Sequence, residues 1–192
     1  MNMLKLDLPV NVMNVVVARY NEPHRRYHNL FHITNLFQLA AAKGIPLSRA
    51  QQLAIWFHDV VYDPQETMNN EQRSAQLMND LLKDHLPDSI LRRATNMILA
   101  TKRHVSDDHE TQIVLDLDLA GLGADHETYF YNKQQIREEY SYLSDESWIN
   151  GRKIFITNML NRKFIFETHW GRESFEDNAR KNLMTDLQSL SL

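Results

Sequence analysis

The sequence predicts an all-α domain, and three observations carry that expectation. Apolar residues recur at three- and four-residue intervals through almost every segment. Helix-ending signals follow several of these segments, among them Asn21 with Pro23, Gly44 with Pro46, and Pro87. The one run that alternates in strand fashion, Ile113 to Leu119, has no second strand-like segment nearby to pair with. The 192 residues and 43% hydrophobic content suit one domain over 1–192, and no repeat, low-complexity tract or charge block marks a boundary within it.

Val10 to about Asn21 carries Val12, Val15, Val16 and Ala18 to Tyr20, a short helix ended by Asn21 and Pro23. The segment HRRYHNLFHITNLFQLAAAKG continues with helical spacing to Ala42, and Gly44 terminates it. On that helix His28 and His32 are four apart and face the same way, with His24 one turn upstream. Ser48 and Gln51 form a capping box that opens a helix through Leu53, Ile55 and Trp56 to the pair His58-Asp59 near its C-terminal end. Asn69, Asn70 and Glu71 start the next helix, which runs to about Leu86 with Ala75, Met78, Leu81 and Leu82 inward. Asp88 opens another, finishing in Thr101, Lys102, Arg103 and His104. Ile113 to Leu119 reads as a helix in which at least one of Asp116 and Asp118 is buried and paired. Two further helices cover Asp125 to about Leu143 and Asp145 to Asn161, the second with its apolar pattern interrupted at Gly151 and Arg152. A last helix after Gly171 sets Phe175, Ala179, Leu183 and Leu187 four apart as a packing stripe.

A net charge of −4 and a pI near 6.1 argue against general nucleic-acid or anionic-membrane binding, although a local basic pocket is compatible with them. The opening MNMLKLDLPV lacks the basic segment and apolar stretch of a secretory leader, and no apolar run approaches about 18 residues. A cytoplasmic protein is the expectation. Without cysteine, disulfides, thiolate metal sites and cysteine nucleophiles are excluded, while nine histidines leave imidazole and carboxylate ligation available.

The chemistry points to Leu53 to Pro64, LAIWFHDVVYDP, where His58 and Asp59 sit inside an apolar run. A buried carboxylate without a partner costs several kcal/mol, so something must hold Asp59. A metal ion shared with His58 is one partner; a histidine favoured by a helix C-terminus followed by a turn-forming aspartate is the other reading. Adjacent residues on a helix point about 100° apart, so both reach one ion only if it lies between their directions. Asp116 and Asp118 within IVLDLDLAGLG repeat the same anomaly. The Thr101 to His104 cluster complements a helix dipole or forms a cationic rim for an anionic substrate.

Taken in order, His32, His58-Asp59 and Asp118 resemble the H…HD…D signature of the HD superfamily of metal-dependent phosphohydrolases. YHNLFHI, FHDVVYD, NEQRSA, ILATKRH, LDLDLAGLG, IREEY, GRKIF and ARKNL look like a group of predicted phosphohydrolases within it, so the likeness spans Tyr20 to Leu183. It implies an all-helical domain in which His32, His58, Asp59 and Asp118 hold one divalent ion. His28 competes with His32 as first ligand, the choice of His32 following from Ile33 and Leu36 behind it. Asp116 competes with Asp118, and the family's D-x-D pattern favours the second aspartate, leaving Asp116 to support the ligands from behind.

The resemblance further implies hydrolysis of a small phosphate ester or anhydride, of which a nucleotide is one case. Mixed imidazole and carboxylate ligation suits Mn, Fe, Co, Ni or Zn, with Mg also compatible. Arg25, His28, Lys102 and His104 are the candidates to meet the substrate's charge. His28 or His104 alternatively protonates the leaving oxygen. Glu71 is placed to orient water or a ligand histidine, and Tyr62 and Asp63 to line the entrance. Arg137 and Arg152 are as well suited to structural ion pairs as to substrate contacts. Two rivals stand beside this reading: a dinuclear HD enzyme, phosphodiesterase or di-iron oxygenase, with a second ion on His28 and His104, and a regulatory or ligand-binding HD module without turnover. Nothing in the sequence excludes a homo-oligomer.

Overall fold

Helical periodicity becomes helix wherever the caps agree with it. The structure, a computed structural model, describes residues 8–65 and 69–190, so most of the N-terminal stretch considered for a leader lies outside the described residues. The order is α1 (Val10–Tyr20), α2 (Leu30–Ala42), α3 (Arg49–Phe57), α4 (Asn70–Leu82), α5 (Asp88–Thr101), α6 (His109–Leu119), a 3-10 turn (Ala120–Gly123), α7 (His126–Glu139) and α8 (Asp145–Leu160). The chain then continues through α9 (His169–Gly171), a π turn (Arg172–Glu176) and α10 (Asp177–Ser189) without a break. Among the described residues there is no strand. No described helix is long and apolar enough to cross a membrane.

The capping box of Ser48 and Gln51 forms in full, and Gly44 closes the α2 end with a positive φ of 66°. The LDLDL run is helical, with Leu115, Asp116, Leu117 and Leu119 all buried. A helix enclosed on almost every side has few exposed polar positions, which is why its pattern mimics alternation. Two apolar clusters meet across this helix. The larger gathers α1 to α6 and includes Leu117; the smaller, which includes Leu119, joins α7, α8 and α10 around Ile156, Phe166 and Leu183. Asp118 stands between those two leucines, at the seam.

Four boundaries differ from the sequence expectation, the first being α4, which ends at Leu82 rather than at about Leu86. Helix α2 begins only at Leu30, because the Asn29 side chain accepts the Phe31 and His32 amides as an N-cap. His24 and His28 therefore lie on the preceding loop, not on a shared helix face with His32. Helix α7 stops at Glu139 rather than near Leu143, where Arg137 donates to the carbonyls of Tyr140 and Leu143 and holds a turn. The last helix starts before Gly171, at His169, since the Thr168 hydroxyl caps it by accepting the Gly171 amide. Its π turn ends at Glu176, whose carboxylate accepts the Ile165 and Phe166 amides.

Candidate metal centre

Three helix termini deliver the four central side chains. His32 lies in the first turn of α2, His58 caps α3 with Asp59 just after it, and Asp118 sits in the last turn of α6. His32, His58 and Asp59 each offer a ligand atom, all within 4.8 Å of one another. Asp118 Oδ1 is 3.1 Å from His32 Nε2 and 3.4 Å from His58 Nε2, and Asp59 Oδ2 is 3.2 Å from His58 Nε2. Two donors about 2.1 Å from one ion at a right angle lie about 3.0 Å apart, so these separations match the edges of a coordination shell.

His58 decides what the cluster can hold. Its Nδ1 is 3.0 Å from the Ile55 carbonyl, which can only accept, so Nδ1 carries the proton and Nε2 presents a lone pair. That Nε2 is buried without a hydrogen-bond partner, although two carboxylates lie beside it. A lone pair facing two anions is satisfied by a proton or by a cation. Burial alone would lower the His58 pKa, but the charges of Asp59 and Asp118 raise it well above the ordinary imidazole value. Asp118 answers in kind: burial opposes its ionisation, yet His58 and hydrogen bonds from His104 and His32 hold it well below the carboxylate range. Asp59 is likewise depressed, burial being outweighed by His58 and His28. His32, His58 and Asp59 form a group that could hold a metal ion, and Asp118 Oδ1 lies beside both imidazoles.

Around the cluster, His104 Nε2 is 3.0 Å from the other Asp118 oxygen, Oδ2. His104 has a positive φ of 48°, and Arg162 donates to the carbonyls of both Arg103 and His104, pinning that loop. His28 donates from Nδ1 to Glu139 Oε2 at 2.6 Å, and its ring lies 6.1 Å from that of His32. Glu139 Oε1 accepts the amides of Arg26, Tyr27 and His28 at 2.8, 2.8 and 2.9 Å. Tyr62 stacks on His28 at 4.4 Å and donates its hydroxyl to Glu139.

Other expected site residues have different surroundings. Arg25 is buried and donates to Glu22 and to the carbonyls of His28, Asp59 and Val60, so it positions the two segments that carry His28 and Asp59. Asp116 accepts the Glu167 amide, the Thr168 amide and the Thr168 hydroxyl, which ties down the residues before α9. Lys102 is exposed just past α5, and Glu71 is half-buried in the first turn of α4. Neither lines the cavity at Asp118 or the cleft at Tyr62. Tyr62 and Asp63 line a polar cleft that also includes Glu139.

Asp118 of the cluster lines one end of a mostly apolar cavity of about 400 Å3, together with Tyr27, His28 and His104. Its remaining walls come from the 3-10 turn, α7 and α8. Tyr27 and Glu139 were not singled out from the sequence. The signal for Glu139 was available in IREEY, where Glu139 lies three residues after Ile136 on a helix whose apolar face includes Tyr129 and Ile136. Set against protein-family models, curated proteins and solved structures, the chain finds no match in any of the three.

Proposed function

We propose that this chain is a metal-dependent phosphohydrolase of the HD type, acting on a small phosphate ester or anhydride. The observation that carries the reading is the buried, unpartnered His58 Nε2 between the carboxylates of Asp59 and Asp118, with His32 completing four donors and Asp118 reaching a half-open cavity. When bound there, a divalent ion supplies a Lewis acid for a phosphoryl oxygen and a more acidic water. His32, His58, Asp59 and Asp118 hold it, and the Ile55 carbonyl fixes the tautomer of His58.

His28 is suited to protonating the leaving oxygen. Its Nδ1 is committed to Glu139, so Nε2 is the nitrogen for exchange, and it lines the cavity. Burial opposes its protonation, but Glu139, Asp59 and Asp118 raise its pKa above the imidazole value, which favours the acid form near neutrality. Tyr62 and Glu139 hold the ring in place.

A second reading rests on Asp118, whose Oδ1 faces His32 and His58 while Oδ2 faces His104. A carboxylate shared in that way suits two ions, the second held with His104. Metal content per chain, measured with phosphate release from nucleotides and sugar phosphates under added Mn, Fe, Co, Ni, Zn or Mg, separates these cases. One ion with release, lost in Asp118→Asn, is the expected result. Two ions favour the dinuclear enzyme, and no ion with no stimulation overturns the hydrolase.

A further inference from the structure

Beyond the ion cluster, the cavity has a second, differently built end. Tyr129, Asn132, Lys133, Ile136 and Tyr140 fall on one face of α7 and its cap, and Ser147, Trp148, Gly151, Arg152 and Phe155 on one face of α8. Two aromatic-bearing helix faces thus flank the space, with Ser147 and Gly151 exposed at its edge. Within this wall stands a buried charge group. Arg152 donates from Nε to Asp186 Oδ2 and from Nη2 to the Tyr129 hydroxyl, and Lys133 Nζ lies 2.6 Å from Asp186 Oδ1. Arg152 is only 8% exposed and Asp186 not at all. Two cations therefore share one carboxylate, leaving one positive charge over in the wall; Lys133 also donates to the Ser189 hydroxyl at 3.5 Å, and its ammonium has a third N–H.

Tyr27 connects the two ends. Its ring lies 5.1 Å from that of His32, while a methyl group built on Gly121 would meet both the Tyr27 hydroxyl and the Asn132 amide. The Arg152 charge reaches it as well: burial and nearby carboxylates raise the Tyr27 pKa, and Arg152 opposes them. Gly151 completes the construction. It lies in the interior of α8, where glycine is less stable than alanine, and a Cβ added there meets nothing within 4 Å. The missing side chain leaves that part of the cavity open.

We infer that the α7–α8 end of the cavity is a subsite for the body of the substrate, taking a flat apolar group that ends in an anionic oxygen group such as a carboxylate or sulfonate. Gly151 admits the body, the aromatic walls pack on it, and Lys133 with Arg152 meets the distal anion. Gly151 and Lys133 are then specificity-determining residues, outside the reacting end. The inference deepens the phosphohydrolase reading, and its test is chosen to work without turnover.

Anilinonaphthalene sulfonate has the required shape and charge, contains no phosphate, and can be titrated calorimetrically into the intact chain. Saturable binding at one site is expected. Lys133→Met should weaken it about tenfold, the factor carried by one charge-assisted hydrogen bond, with Arg152 still pairing Asp186. Gly151→Phe should abolish it while metal content and helical circular dichroism stay unchanged. Where phosphate release is measurable, carboxynaphthyl phosphate should outcompete naphthyl phosphate in kcat/KM, and Lys133→Met should remove that preference. Absence of saturable sulfonate binding, or binding indifferent to both substitutions, overturns the subsite whatever the reaction proves to be. Loss of turnover with binding retained would count against the hydrolase and leave the subsite standing.

Discussion

Glu139 holds His28 in place from 111 residues away, accepting its Nδ1–H at 2.6 Å with one oxygen while the other gathers three successive backbone amides. Burial alone would raise the Glu139 pKa, but His28 and those amides bring it down to about 2. His28 moves the other way, upward from 6.5.

The depressed Glu139 contributes stability that is present above its unfolded value of 4.5 and lost as pH falls towards about 2. The raised His28 contributes stability that is complete below 6.5 and lost as pH rises through its folded pKa. Together they stabilise most between these two unfolded values. Glu139→Gln should cost on the order of 3 kcal/mol there, with the difference shrinking as pH falls towards 2. Thermal unfolding of both proteins across the acid range checks this, and a pH-independent difference would refute it.

For the ion cluster, stability offers a readout that needs no substrate. A chelator-treated protein given Mn, Co, Ni or Zn at about a hundred times its Kd should gain about 2.7 kcal/mol. In His58→Ala or Asp59→Ala, the gain should vanish while helical circular dichroism remains. A metal-induced rise in Tm that persists in either variant would place the ion elsewhere.

What the sequence made legible follows a physical division. His58, Asp59 and the pair Asp116 and Asp118 stood out because charged groups in apolar runs are costly and demand partners, and that anomaly is local. The α2 boundary was not legible in the same way. Histidines four apart suggest a shared face, but the amides of residues 26–28 are captured by Glu139, and helix and carboxylate are remote in sequence. Choosing between Asp116 and Asp118 from residues alone was equally underdetermined. Two residues apart on α6 they point in different directions, and only the position of Thr168 settles which carboxylate is taken up structurally. Arg25 illustrates the limit for cations: the same side chain suits a phosphate or three backbone carbonyls, and here the carbonyls of His28, Asp59 and Val60 receive it.

Gly171 tests the packing behind α6. A Cβ there would collide with the Asp116 carboxylate, which is already committed to Glu167 and Thr168. Gly171→Ala should destabilise by about 1–3 kcal/mol, the range for overpacking a close-packed interior. Chemical denaturation would measure it, and a neutral result would mean that the Asp116 clamp can shift without loss.

Gly151 sets the opposite expectation, which is why it is informative. In a helix interior, replacing glycine by alanine is worth about 0.8–1 kcal/mol when the methyl group fits. At Gly151 it fits, since nothing lies within 4 Å of the added Cβ, and the position is exposed to the cavity rather than to a neighbour. Gly151→Ala should therefore raise stability by about that amount, read from the denaturation midpoint at unchanged m value. The methyl group also narrows the cavity, so a gain in stability should come with weaker binding of the naphthalene sulfonate. If stability rises and binding is untouched, the glycine has no part in ligand entry. If stability falls, α8 meets a neighbour at this face that the open space does not reveal.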